Sequence, residues 1–130
     1  MVHIILIVYW LILLAATSLP SQSVPSLGLG DKLNHLGAYL VLNILLNLSF
    51  SIQQKSEYLK KNSLLISFIV CIVYGAVDEL HQMFIPGRSC EFMDWIADSG
   101  GSLLGSLIMW FFNFKILKKQ IENKNILFEE

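Results

Sequence analysis

The sequence predicts an all-α integral membrane protein, a bundle of about four transmembrane helices. Three observations lead there. Hydrophobic residues make up 55% of the 130-residue chain and charged residues only 15%, unlike an ordinary soluble domain. Apolar runs of nearly membrane-spanning length recur along the chain. Lysines collect in alternate connections between those runs, as they do in multi-pass proteins. The net charge of −1 argues against a nucleic-acid footprint, which needs a clustered basic face.

The first element, Val2 to Leu19, is almost unbroken apolar sequence. A cleaved signal peptide is the competing reading. The run is long for such a segment, and its extreme N-terminus lacks Lys and Arg, so a retained helix is expected. Pro20, Pro25 and a Ser/Gly-rich stretch to Gly30 form the first loop. Leu33 to Ile52 is the second span and carries Asn34, His35, Asn43 and Asn47. A polar loop, 53–62, follows. Ser63 to about Ile85 is the third span, apolar until Asp78 and closed by Pro86-Gly87. Asp94 to Phe114 is the fourth. Residues 1–114 thus form a transmembrane domain and 115–130 a charged tail.

Positive residues set the direction. Lys55, Lys60 and Lys61 lie in the 53–62 loop, and Lys115, Lys118, Lys119 and Lys124 in the tail. The other two connections hold only Lys32 and Arg88. Both termini and the 53–62 loop are therefore expected in the cytoplasm, and the protein in a bacterial cytoplasmic membrane. Small residues mark close helix approach: Gly101 and Gly105 with Ser102 and Ser106 beside them, and a Ser67, Cys71, Gly75 stripe. Cys71 and Cys90 sit too far apart along the third helix and its following loop to bridge, and are read as free thiols.

This topology gathers the ionisable residues at one membrane level. Asp31, Lys32, His35 and Tyr39 open the second helix; Asp78, Glu79, His81 and Gln82 close the third. Arg88 follows, and Asp94 and Asp98 start the fourth. Asp31, His35 and Tyr39 repeat every four residues and share a face, as do Asp78 and Gln82, and Asp94 and Asp98. Asp78 and Glu79 fall below the hydrocarbon edge, where an unpaired carboxylate costs at least ~2.5–3.5 kcal/mol. Such residues need partners, protons or a wet cavity, which makes a functional site the default reading.

Plainer readings exist for several of them. Asp31 and Asp94 could be helix N-caps, Lys32 a snorkelling anchor, His81 a boundary residue, and Tyr39 a packing residue with a polar tip. Trp10, Trp95 and Trp110 fit interface or core positions.

At these residues the chain resembles the VanZ-like family, small bacterial membrane proteins named for a teicoplanin-resistance protein. The matches are Ser18-Leu19-Pro20, then Asp31-Lys32-x-x-His35 with Tyr39 one turn on. Next comes Asp78-Glu79-x-x-Gln82-x-Phe84-x-Pro86-Gly87-Arg88, followed by Asp94-x-x-Ala97-Asp98-x-x-Gly101-x-x-x-Gly105. They cover most of the chain except its tail. At position 98 the resemblance expects Asn at least as often as Asp, so this chain's site carries an additional acid.

The resemblance implies action at the cell envelope, on the headgroup or phosphate linkage of a lipid or lipid-linked precursor. A role in (lipo)glycopeptide resistance or envelope maintenance goes with it. Arg88, Lys32 and Gln82 would then hold the phosphate. His35, oriented by Asp31, and Glu79 would trade protons or supply the nucleophile, with Asp78 and Asp94 in the same catalytic group. Tyr39 and Asp98 would support them. A non-catalytic protein that binds or shields an envelope lipid or antibiotic is the alternative. No cofactor is expected. His35, His81, Glu79, Asp94 and Asp98 are possible metal ligands, but no HExxH or Cys/His spacing assigns a metal. A transporter is disfavoured, because Asn43 and Asn47 are the only polar steps inward.

Overall fold

The computed structural model describes residues 1–20 and 30–128, with side-chain surroundings through Ile116. Its regular structure, among the described residues, is entirely helical: α1 Val2–Ser18, α2 Asp31–Ile52, α3 Glu57–Lys61, α4 Ser63–Gln82 and α5 Phe92–Phe128. The first-loop expectation, Pro25 included, lies outside the described residues.

Two helices, α2 (22 residues) and α4 (20 residues), are long and apolar enough to cross a membrane. At 17 residues, α1 is strongly apolar but shorter. The start of α5 is diluted by Ser99, Gly100, Gly101 and Ser102. The expected spans thus correspond to α1, α2, α4 and α5, of which two meet the spanning criterion.

The burial pattern is inverted relative to a water-soluble bundle. On α4, Leu65, Ile69, Val73, Val77 and Leu80 face outward, while Ser63, Ser67, Cys71, Gly75, Asp78 and Gln82 are buried. An apolar outer face around a small and polar inner face is what a hydrocarbon solvent selects. The same holds for α5, where Leu103, Leu107, Trp110 and Phe114 are exposed and Asp98 and Ser102 are buried.

At the centre lies α2, flanked by α1, α4 and α5. Contacts fix the directions: Lys32 meets Asp94, His35 meets Asp98 and Asn43 meets Ser106, so α2 and α5 run parallel. Tyr39 meets Asp78 and Asn43 meets Cys71, so α4 runs antiparallel to α2. Helix α1 is also antiparallel to α2, with His3 bonded to Ser49 and the Tyr9 hydroxyl donating to the Ala38 carbonyl at 2.9 Å.

Gly101 and Gly105 permit the α2–α5 approach, as the small-residue spacing predicted. A Cβ on Gly101 would overlap the Leu36 carbonyl oxygen, and one on Gly105 would stand 2.8 Å from the Leu40 carbonyl oxygen. Gly75, from the second small-residue stripe, does the same for α4 against α5, facing Asp98 and Trp95. The Trp95 indole N–H donates to the Ile72 carbonyl at 3.1 Å and ties that pair.

Several boundaries differ from the sequence reading. The polar loop 53–62 contains α3, whose N-cap Ser56 accepts from the Leu59 N–H at 3.3 Å; a Ser followed by Glu57 starts a helix even in so short a connection. Helix α4 stops at Gln82 rather than near Ile85, because Pro86 has no N–H for the Gln82 carbonyl and its ring clashes with that carbonyl in a helix. The chain instead turns through Phe84 and Ile85 to Gly87 at φ 78°. Helix α5 starts at Phe92, two residues before Asp94, and continues to Phe128 through the segment read as a tail. Nothing between Phe114 and Phe128 is Pro or Gly, so no residue stops it.

Candidate functional site

The C-terminal ends of α1 and α4 and the N-terminal ends of α2 and α5 meet at one end of the bundle, and the predicted polar residues lie there. Asp78, Glu79, Gln82, Asp94 and Asp98 are buried, with Asp98 at 0% exposure. His35 is nearly so, while Asp31 and Lys32 stand at the rim.

Two of the plainer readings fail on position. Asp31 is the first residue of α2, and Gly30, at φ 81°, occupies the N-cap. Asp94 lies in the first turn of α5, where a carboxylate complements the helix dipole, but its oxygens are taken up by neighbours. Lys32 Nζ stands 2.7 Å from Asp94 Oδ1 and 3.2 Å from Glu91 Oε2. Lys32 thereby closes the outer edge of the site instead of reaching away from it.

His35 sits between the two α5 acids. Its Nδ1 lies 3.0 Å from Asp98 Oδ1, and its Nε2 lies 4.0 Å from Asp94 Oδ2. The one-turn spacing of Asp94 and Asp98 and the parallel run of α5 beside α2 produce this arrangement. Asp31, expected to orient His35, is outside hydrogen-bond range; Asp98 does the orienting.

On α4, Glu79 Oε2 accepts the Glu91 backbone N–H at 2.9 Å, and Gln82 Nε2 lies 3.5 Å from Glu79 Oε1. Asp78 faces the other way. Its Oδ2 is 3.5 Å from the Tyr39 hydroxyl, and Tyr39 is stacked on Tyr74 with centroids 6.0 Å apart. The adjacent acids Asp78 and Glu79 therefore take different partners, Tyr39 on one side and the Glu91 backbone on the other.

Arg88 has an unanticipated set of partners. Its Nε and one terminal nitrogen donate at 2.9 Å to the carbonyls of Leu19 and Ala16, and its other terminal nitrogen donates at 3.1 Å to Gln82 Oε1. The last carbonyls of a helix have no partner of their own, and a guanidinium satisfies two of them and complements the dipole. Of the five guanidinium N–H groups, two remain free of these bonds.

A cavity of about 120 Å³ opens among these groups, lined by His35, Asp78, Tyr39, Asp31 and Arg88 together with apolar Leu13 and Ala16 of α1. It has room for several waters or a small polar headgroup. Of the remaining lining residues, Thr17 and Asn34 were not singled out as site residues, nor was Glu91, whose backbone holds Glu79. Thr17 lies near the end of a run whose signal is almost entirely apolar. Glu91 falls in a loop with no periodicity. His81 stays apart, half-buried, with Nδ1 unpartnered. Both cysteines are free: Cys71 is buried in the bundle and Cys90 exposed in the loop.

A family model described as VanZ/LLP1 matches residues 1–113. No curated protein and no solved structure matches the chain.

Proposed function

The chain belongs to the VanZ-like family, whose model spans nearly its whole length, and from that premise we propose that it acts at the outer leaflet of the bacterial cytoplasmic membrane, on the headgroup or phosphate linkage of an envelope lipid. A contribution to (lipo)glycopeptide resistance or envelope maintenance follows from the same reading. In it, α1, α2, α4 and α5 all cross the membrane, and both termini are cytoplasmic.

One observation carries it. Buried Asp78, Glu79, Asp94 and Asp98 gather with the nearly buried His35 at one end of a bundle whose outer face is apolar, and His35 and Asp78 line a cavity there. Ionisable groups at that depth are costly to keep unless they serve a pathway or a substrate. An amphiphile can present its headgroup at this level without leaving the bilayer. His35, polarised by Asp98, would move a proton at the headgroup. Asp78, held by Tyr39, would face it across the cavity, and the free N–H groups of Arg88 would take a phosphate oxygen.

The test is the purified protein reconstituted with phospholipids and with a lipid-linked cell-wall precursor, products read by mass spectrometry. Turnover above a His35→Ala and Glu79→Ala background is the expected result. Absence of any product beyond that background, on every lipid class, overturns the enzymatic reading; stoichiometric binding without turnover would assign the shielding role instead.

A further inference from the structure

We infer that His35, Glu79 and Asp98 form a binding site for one divalent cation of the Mn²⁺ or Zn²⁺ type, held between α2, α4 and α5. Sequence spacing pointed to no metal, because the three ligands come from three different helices. The fold brings them together: one ligand atom from each lies within 4.8 Å of the others. Metal–ligand bonds of ~2.0–2.6 Å bridge such a span. The 3.0 Å between His35 Nδ1 and Asp98 Oδ1 is close to the separation of two adjacent ligands at ~2.1 Å around one ion. One imidazole with two carboxylates suits Zn²⁺ and Mn²⁺ better than an all-oxygen cation site would.

Two independent observations point to a ligand here. The first is an orphan atom. Asp98 is fully buried, has Oδ1 beside His35 Nδ1, where an ion would replace the proton between them, and leaves Oδ2 with no hydrogen-bond partner. A buried carboxylate oxygen without a donor is costly, and a cation would satisfy it. Gly75 packs on that side, where a Cβ would come within 3.1 Å of Oδ2.

The second is charge. A second cluster, Asp31, His35 and Asp94, has comparable geometry, but Lys32 already neutralises Asp94. Glu79 and Asp98 have no Lys or Arg within ion-pair distance among the described residues. A single imidazole, even when protonated, cannot balance two carboxylates in a low-dielectric interior. A divalent ion can. The choice between the clusters therefore falls on the buried one.

Three protein ligands leave coordination positions open, as in catalytic rather than structural metal sites. An ion there would supply the positive charge that a phosphate oxygen needs; that role rests on the headgroup reading above, whereas the presence of the ion does not.

The experiment uses the full chain in nanodiscs, stripped with chelator and dialysed in turn against micromolar Mn²⁺ and Zn²⁺. Bound metal is measured by elemental analysis, with folding checked by size exclusion and circular dichroism. About one ion per chain is expected, as for a single site. Glu79→Gln and Asp98→Asn should each weaken binding at least ~10-fold, by loss of one ligand, and Asp31→Asn should not. Bound Mn²⁺ should show ¹⁴N coupling in pulsed electron paramagnetic resonance that disappears in His35→Gln. Less than ~0.1 ion per folded wild-type chain at these concentrations, against the one expected of a real site, overturns the proposal. So does loss of the metal from Asp31→Asn with retention in Asp98→Asn. Failure to bind metal together with His35-dependent lipid turnover would sink the ion and leave the headgroup reading standing; a bound ion with no lipid bound or turned over would do the reverse.

Discussion

His35 Nδ1 and Asp98 Oδ1 stand 3.0 Å apart across the α2–α5 interface, both side chains almost entirely withdrawn from solvent. The pair should be worth more than an ordinary contact between membrane helices, which averages ~0.6 kcal/mol for a hydrogen bond. Removing either partner alone strands the other, at ~3–5 kcal/mol for a buried ionic pair. His35→Ala and Asp98→Ala should therefore each lower unfolding stability in detergent by several kcal/mol, and the double variant by clearly less than their sum. A coupling energy below ~0.5 kcal/mol, within the error of simple additivity, would mean that the two side chains are only neighbours.

Gly100 and Gly101 offer a contrast between adjacent glycines. A Cβ at Gly100 meets nothing, while one at Gly101 runs into the Leu36 backbone. Gly100→Ala should be neutral or stabilising by up to ~1 kcal/mol through helix propensity. Gly101→Ala must push α5 away from α2 and should cost at least ~1–3 kcal/mol, the range for overpacking. Thermal unfolding of the two purified variants checks this. Equal melting temperatures would mean that the close approach of α2 and α5 is not needed for stability.

Much of this was legible because a bilayer makes simple demands. Apolar runs gave the helices, and spacing put Asp31, His35 and Tyr39 on one face. The site's membership followed once three helices ended at one level. Pairings were another matter. Whether His35 turns to Asp31, one turn away on its own helix, or to Asp98 on another depends on the azimuth and direction of α5, and Gly101 and Gly105 set that by how closely they let it approach. Arg88 read as a free phosphate ligand because its acceptors are backbone carbonyls of α1, which any sequence would supply equally. The extension of α5 past Phe114 was hidden because lysines mark a membrane boundary without marking a helix end.

Arg88 carries the next prediction, since it is tied to the last turn of α1 through Ala16 and Leu19. Lysine keeps the charge but loses the planar fork, so Arg88→Lys should free the end of α1. Two charge-assisted bonds at ~1.5–3 kcal/mol each are at stake, enough for at least a ~10-fold rise in amide exchange over residues 14–19. Exchange followed by mass spectrometry should register that rise there and leave the α4–α5 contact near Trp95 and Ile72 protected. Unchanged exchange at residues 14–19 would show that α1 is held by packing alone.

The two cysteines make the direction of the bundle testable without adding a probe. Cys90 is exposed in the connection between α4 and α5, and Cys71 is fully buried against Asn43. On the proposed orientation, drawn from the lysine asymmetry, the Cys90 connection lies outside and the 53–62 loop inside. A membrane-impermeant maleimide should therefore label wild-type protein in intact cells, and Cys90→Ser should abolish the label because Cys71 is shielded. Lys60→Cys, placed in a Cys71→Ala, Cys90→Ser background, should react only after the cells are opened. If Cys90 reacts only in opened cells and Lys60→Cys in intact ones, the bundle is inverted; the ionisable cluster then faces the cytoplasm, and an outer-leaflet lipid is no longer its substrate.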